Sequence, residues 1–235
     1  MTFPTQQYEN KLRTDGYRLI AGVDEAGRGA WAGPLVAGAV ILPQDFFMKD
    51  IRDSKLLSAK KREFLCAEIK KIALSWAVGI VDIAYINQYN IGKANIKVFE
   101  LAIENLNIKP DYVMIDGICG KDKDGDVSSR GHGKIPFNHS LEKKGIICEY
   151  IKDGDAKIFS IAAASIIAKV ERDNILKEEH LRFPQYGFDE NKGYGTKFHQ
   201  EALKKFGICE SHRILYKPIK KVIESKNFAR EMNKV

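Results

Sequence analysis

The 235-residue chain is poor in cysteine and has no long apolar run. Its four cysteines, Cys66, Cys119, Cys148 and Cys209, are scattered without a Cys-x-x-Cys pair, which reads as reduced thiols and not a disulfide framework. Cys119, His132, His139 and Cys148 match no paired-ligand zinc spacing. Asp122, Asp124 and Asp126 open like a calcium loop, but Val127 and Gly133 stand where that loop needs glycine and glutamate. The longest apolar run, Pro34 to Pro43, is far too short to span a bilayer. Residues 1–13 are polar and lack the apolar stretch of a leader, so a cytoplasmic protein with no membrane partner is expected. No internal repeat is visible.

What is present begins with charge. The 44% hydrophobic content is ordinary for a globular protein, and the length allows an ample core. Residues 192–235 carry eleven Lys and Arg against four Glu, a balance of +7 that equals the net charge of the whole chain. Residues 1–191 are therefore neutral overall. The division suggests a catalytic body over 1–191 and a basic helical extension over 192–235, packed on the same domain and suited to a polyanion.

Hydrophobic periodicity predicts strands at Tyr17–Val23 and Gly33–Leu42, and a third where Trp76, Val78 and Ile80 alternate with smaller residues. Ser58 caps a predicted helix whose Leu65, Ile69 and Ile72 share one face. A second helix spans about Asn95–Leu106, with Phe99, Ala102, Ile103 and Leu106 on one face. Tyr112–Ile115 reads as a strand buried on both faces and ending at Asp116, with Ile146–Ile151 as its parallel neighbour. Long helices are predicted over Ile158–Leu181 and Lys197–Phe206, the latter stopped by Gly207. A strand meander followed by alternating helices and strands predicts an α/β fold with a mixed sheet flanked by helices. The glycine- and charge-rich stretch 117–145 reads as a surface insertion.

The chemistry concentrates at Ile20–Gly29. Asp24 and Glu25 end an apolar segment, where buried acids are costly unless paired or bound to metal. Gly27-Arg28-Gly29 follows: the glycines allow close backbone approach and the arginine suits a phosphate. Asp116 repeats the strand-end logic of Asp24, and such ends line the ligand crevice of α/β sheets. On the long helix, Ser165, Lys169 and Asp173 recur at i, i+4, i+8 and share one face. Lys169 and Asp173 alone would make a surface ion pair. Asp24, Glu25, Asp116 and Asp173 together would fit a two-metal site, with one ion activating water and the other stabilising the leaving 3′-oxygen. Oxygen donors suit Mg2+ and Mn2+ alike.

A dinucleotide-binding fingerprint would need a helix after Gly27-x-Gly29, but Gly33-Pro34 and a β-branched run follow. An actin-like ATPase would need two such domains. A non-catalytic nucleic-acid-binding module would leave the acids unexplained.

Taken in order, six segments resemble the type 2 ribonuclease H family, specifically bacterial ribonuclease HII: 22–29, Asp53-Ser54-Lys55-Leu56-Leu57, Ile115-Asp116-Gly117, Gly154-Asp155-Ala156, 161–173, and Lys192-Gly193-Tyr194-Gly195-Thr196 followed by Ser211-His212-Arg213. The resemblance implies a ribonuclease-H-like fold with a C-terminal helical extension. It implies endonucleolytic cleavage of RNA in RNA–DNA hybrids, and 5′ of single ribonucleotides in duplex DNA, leaving 3′-hydroxyl and 5′-phosphate ends, with a role in DNA replication and repair. Asp24, Glu25, Asp116 and Asp173 would be its metal-binding acids. Gly27, Arg28 and Gly29 would sense the ribose 2′-hydroxyl, Tyr194 would pack on the next deoxyribose, and Lys55 and Ser165 would also face substrate. The expected partners are RNA–DNA hybrids and ribonucleotide-containing duplex DNA, bound by a monomer. Four departures from the family pattern stand out: Asp153 in place of lysine before Gly-Asp-Ala, Asn191 in place of histidine, Ile214-Leu215-Tyr216 in place of Arg-Ser-Phe, and a longer stretch between Gly117 and Gly145.

Overall fold

Apolar, β-branched segments pair into a five-stranded sheet at the centre of the computed structural model, which describes residues 3–52, 54–117, 120–121, 127–128, 141 and 145–232. The meander is β1 (Ile20–Ala26), β2 (Leu35–Ile41) and β3 (Ser75–Val81), joined antiparallel. Strand β4 (Tyr112–Asp116) runs parallel to β1, and a short hairpin, β5 (Gly120–Lys121) with β6 (Val127–Ser128), follows it. Strand β7 (Ile147–Ile151) runs parallel to β4, which gives the order β3-β2-β1-β4-β7. Most of the expected insertion, with Cys119, Asp122, Asp124, Asp126, His132 and His139, lies outside the described residues.

The helices are α1 (Gln7–Thr14), α2 (Ala59–Ile72), α3 (Ile83–Glu104), α4 (Gly154–Lys157), α5 (Phe159–Arg182), α6 (Phe188–Asn191), α7 (Lys197–Phe206) and α8 (Lys217–Met232). Ser58 caps α2, accepting from the Lys61 amide as its position predicts. The expected Asn95–Leu106 helix is the second half of α3; the first half begins at the Asp82 cap. The halves meet at Asn90, which has φ 70° and whose side chain accepts from the Gly92 and Lys93 amides to restart the helix.

Two apolar layers enclose the sheet. One packs Val23, Val113 and Ile115 against Val98, Phe99 and Ala102 of α3. The other packs Val40 against Phe159, Ala163 and Ile167 of α5 and Leu65 and Ile69 of α2. On β3 the smaller set of the alternation faces α3. Ser75, Ala77, Gly79 and Val81 face inward, while Trp76 and Ile80 remain 36% and 49% exposed. Small residues let α3 lie close, since a Cβ at Gly79 would come within 2.3 Å of the Val98 carbonyl oxygen. Helix α5 approaches the opposite face as closely, because a Cβ at Gly22 or Gly38 would meet its backbone at 2.3 or 2.4 Å. A further cluster joins Ala32 and Leu176 to Tyr186, Phe188, Leu203 and Ile219, seating the basic C-terminal segment on α5. Among the described residues no helix is long and apolar enough to cross a membrane.

Candidate active site

The parallel register decides which acids meet. Val23 pairs with Ile115 as the last pair of the β1–β4 ladder, so Asp24 and Asp116 emerge side by side just beyond it. Strand β7 ends alongside, Asp116 pairing with Ile151, and the chain turns through Asp153 into α4. That turn delivers Asp155. Asp24, Asp116 and Asp155 each bring a carboxylate oxygen within 4.8 Å of the others. The Gly154 amide donates to Asp116 Oδ1 at 2.6 Å, and the Glu25 amide to Asp24 Oδ1 at 2.7 Å.

These acids repel one another in a site that water barely reaches. Asp24 is 4% exposed, and burial, then the charges of Glu25 and Asp116, hold its pKa well above the ordinary carboxylate value. Burial, together with the Asp116 charge, pushes Glu25 up to about 7. Asp116 is pushed up to about 6 by burial and then by the Asp155 charge. A cluster of acids at this spacing, strained by its own charge, fits divalent cations bound through oxygen.

Asp173 is not a member of the cluster. Ser165 hydrogen-bonds Asp24, and Asp173 lies eight residues further along α5, roughly 12 Å by helical rise. Its carboxylate instead takes Lys169 Nζ at 2.6 Å and Arg62 Nη2 at 3.6 Å. Arg62 in turn donates through Nη1 to the carbonyls of Ser54 and Leu57, at 3.0 and 2.5 Å. The loop held in this way carries Ser54, whose hydroxyl lies 3.0 Å from that of Ser165, and Lys55, whose ammonium lies 3.0 Å from Asp155 Oδ2. The shared face of Ser165, Lys169 and Asp173 is therefore real, but only its Ser165 end reaches the acids. Asp155 is the acid that the strand-end rule passed over, although it follows the strand ending at Ile151 by only four residues.

Beside the acids, the 27–34 loop is fixed by two arginines that are fully buried and pair with carbonyls. Arg172 Nε donates to Pro34 at 3.0 Å, Nη2 to Ala32 at 3.1 Å and Nη1 to Lys192 at 2.9 Å. Arg213 donates to the carbonyls of Gly33, Gly27 and Pro34 at 2.9, 2.8 and 2.9 Å, and Nη1 also reaches Arg28. Burial lowers the Arg172 pKa to about 10, which leaves it charged at neutral pH. Gly27 has φ 95°, and a Cβ there would lie 1.9 Å from Arg172 Nε, so no larger residue fits.

The same arginine contacts Tyr194. The Tyr194 ring lies over the Arg172 guanidinium, 5.7 Å from its centroid, and stays 41% exposed. A Cβ on Gly29 would sit 3.9 Å from that ring. Two departures from the family pattern support these loops: the Asn191 side chain accepts from the Gly193 amide at 2.8 Å, and the Tyr216 hydroxyl donates to the Arg28 carbonyl.

Acids gathered at the ends of adjacent parallel strands in this sheet order fit the class of metal-dependent nucleases with the ribonuclease-H-like fold. The chain resembles the solved ribonuclease H2 of Pyrococcus horikoshii, with TM-score 0.69 and 27% identity over 88% of this chain and 98% of that one. In sequence it is 46% identical to the ribonuclease HII of Caldanaerobacter subterraneus subsp. tengcongensis over 209 residues, 89% of this chain and 78% of the relative. It is 45% identical to that of Syntrophus aciditrophicus, over 89% of both chains. The family model for ribonuclease HII matches residues 21–219. The chain thus belongs to the ribonuclease HII family and has ribonuclease H activity on RNA–DNA hybrids.

Proposed function

We propose that this enzyme also nicks duplex DNA 5′ of a single embedded ribonucleotide, and that Asp24, Glu25, Asp116 and Asp155 hold two divalent cations for the reaction. The observation that carries the proposal is the convergence of Asp24, Asp116 and Asp155 next to the 27–34 loop, whose Gly29 lies against the Tyr194 ring. When bound, the ions, Mg2+ or Mn2+, supply an activated water and neutralise charge on the leaving 3′-oxygen. The chain's own residues bind and orient. Lys55 balances the Asp155 charge, and with its side chain largely exposed it would meet a substrate phosphate. Ser165 holds the Asp24 carboxyl through a hydrogen bond. Arg28 meets a phosphate, while the backbone of Gly27 and Gly29 approaches the ribose closely enough to read its 2′-hydroxyl. Tyr194 packs on the sugar that follows, where a second 2′-hydroxyl would crowd the ring. The products are a 3′-hydroxyl and a 5′-phosphate.

The test is a nicking assay on a duplex carrying one ribonucleotide, with Mg2+ or Mn2+ and with chelator. Cleavage 5′ of the ribonucleotide that chelator abolishes is expected. Asp24→Asn should abolish cleavage while hybrid binding persists, because affinity rests mainly on Lys and Arg contacts to phosphates. Cleavage that survives chelation, or that is confined to continuous RNA tracts, would refute the proposal.

A further inference from the structure

Behind the Tyr194 turn lie two histidines that the proposed chemistry does not use. His199, on α7, and His212, in the segment before α8, are both buried, and their Nε2 atoms are 3.1 Å apart. His199 Nδ1 lies 2.9 Å from the Tyr194 carbonyl oxygen. His212 Nδ1 lies 2.9 Å from the Cys209 amide, and the Cys209 Sγ is 3.2 Å away. The Cys209 carbonyl, also 3.2 Å from that nitrogen, already accepts the His212 amide at 3.1 Å.

These partners determine the protons. A carbonyl only accepts, so His199 Nδ1 carries hydrogen; an amide only donates, so His212 Nδ1 is bare. One proton then remains for the Nε2 pair, and it sits on His212, whose Nε2–H donates to His199 Nε2. Every ring nitrogen is satisfied with both rings neutral, and a second proton between the Nε2 atoms would set two N–H groups against each other. Burial lowers both pKa values, that of His212 to about 4 with help from His199, which agrees with the neutral pair. Tyr186 packs edge-on against both rings and Phe188 edge-on against His199, keeping water out.

We propose that His199 and His212 are positioning residues for recognition of the ribonucleotide junction: a neutral relay of fixed tautomers from the Cys209 amide to the Tyr194 carbonyl that sets where the Tyr194 ring stands. The proposal rests on the reading of Tyr194 given above. The turn is held from its other side by Trp31 and Ala32, whose amides donate to the Gly193 carbonyl at 2.8 and 3.2 Å. The Tyr194 carbonyl also accepts the Thr196 amide at 2.8 Å. Without the imidazole donor, that turn keeps its strap to the 27–34 loop but loses the support that fixes its tilt.

Three measurements test the relay. In the wild-type enzyme, long-range 15N–1H spectra at neutral pH should show His199 as the Nδ1–H tautomer and His212 as the Nε2–H tautomer; the opposite tautomers, or an imidazolium, would overturn it. Cleavage at a single ribonucleotide relative to a continuous RNA tract should fall in His199→Ala as it does in Tyr194→Ala, by roughly ten- to a hundredfold for a misplaced contact. His199→Asn, whose amide can replace the Nδ1–H donor, should restore the ratio towards wild type. If Tyr194→Ala lowers the ratio but His199→Ala lowers both activities equally, the relay is wrong and the tyrosine reading stands. If Tyr194→Ala leaves the ratio unchanged, the tyrosine reading fails, and hydrogen exchange at the Thr196 amide decides the relay. Lost protection in His199→Ala then supports it, and retained protection overturns it. Should His199→Ala fail to fold, the tautomers and His199→Asn decide.

Discussion

Replacing Arg213 with methionine should destabilise the enzyme strongly, although among the described residues it forms no ion pair with an acid. Its guanidinium makes three bonds of 2.8–2.9 Å to the carbonyls of Gly33, Gly27 and Pro34, and all of it is buried. Methionine fills much of the volume but donates nothing. Removing a buried charge recovers its desolvation cost, yet the carbonyls stay buried and lose their donor, so the second effect wins. At about 1–1.5 kcal/mol net per bond, the loss is roughly 3–4.5 kcal/mol. For a chain of this size each kcal/mol lowers Tm by about 2–4 °C, so a fall of roughly 6–18 °C is expected. Urea and thermal unfolding of both proteins measure it. Arg213→Lys should recover little, because one ammonium cannot reach three carbonyls spread along a planar fork. KM should rise on every substrate, since the same loop presents Arg28. A loss below about 1 kcal/mol for Arg213→Met would refute the argument, because it would show the carbonyls satisfied without the guanidinium.

Other outcomes follow from the same geometry. Asp155→Asn should raise the Mg2+ concentration needed for half-maximal cleavage far more than Asp173→Asn, whose main effect should be a lower kcat as Arg62 loosens the Ser54–Leu57 loop; a metal titration of both variants checks this, and a larger shift in Asp173→Asn would return that residue to the metal site. Glu9 is 3% exposed and accepts from the Ser160 amide and hydroxyl at the start of α5, yet burial raises its pKa above the ordinary value. Because the folded state binds that proton more tightly, its stabilising contribution is complete below the unfolded pKa and is lost as pH rises through the folded one. Glu9→Gln should therefore flatten stability against pH above about 4.5, measured by urea midpoints, and an unchanged slope would show that Glu9 does not titrate there.

The sequence revealed the acids best where a strand end marked them. Asp24 and Asp116 each close an apolar run, and the parallel register then had to bring them together. Asp155 obeys the same rule one turn later, but the intervening Lys152-Asp153 hid the connection. Asp173 shows the opposite failure. A helical period tells which residues share a face and says nothing of how far along the axis the face meets the site. The buried arginines entered only as members of the family-like segments 161–173 and Ser211-His212-Arg213, and their role left no trace, since a guanidinium satisfied by carbonyls creates neither a period nor a complementary acid. On β3 the alternation was legible, but which set faces inward was not, because α3 selects for small residues where it lies close. Helix α1 was missed because its apolar face is short: a polar run conceals the buried Glu9 and Leu12.

The 27–34 loop is fastened by arginines to carbonyls. Carbonyl oxygens satisfy the guanidinium without carrying a net charge, so the loop that follows Glu25 is fixed without a further buried carboxylate, while burial and mutual repulsion already raise the pKa values of Asp24 and Asp116. The cost is a buried cation, and the lowered pKa of Arg172 shows that the site bears it without neutralising the group. Helix α5 serves two loops. Over a single turn, Arg172 reaches the loop that carries Arg28 and Asp173 reaches, through Arg62, the loop that carries Lys55. The acid cluster thus sits beside the strand ends, Arg28 and Lys55 sit on loops, and one helix turn braces both loops.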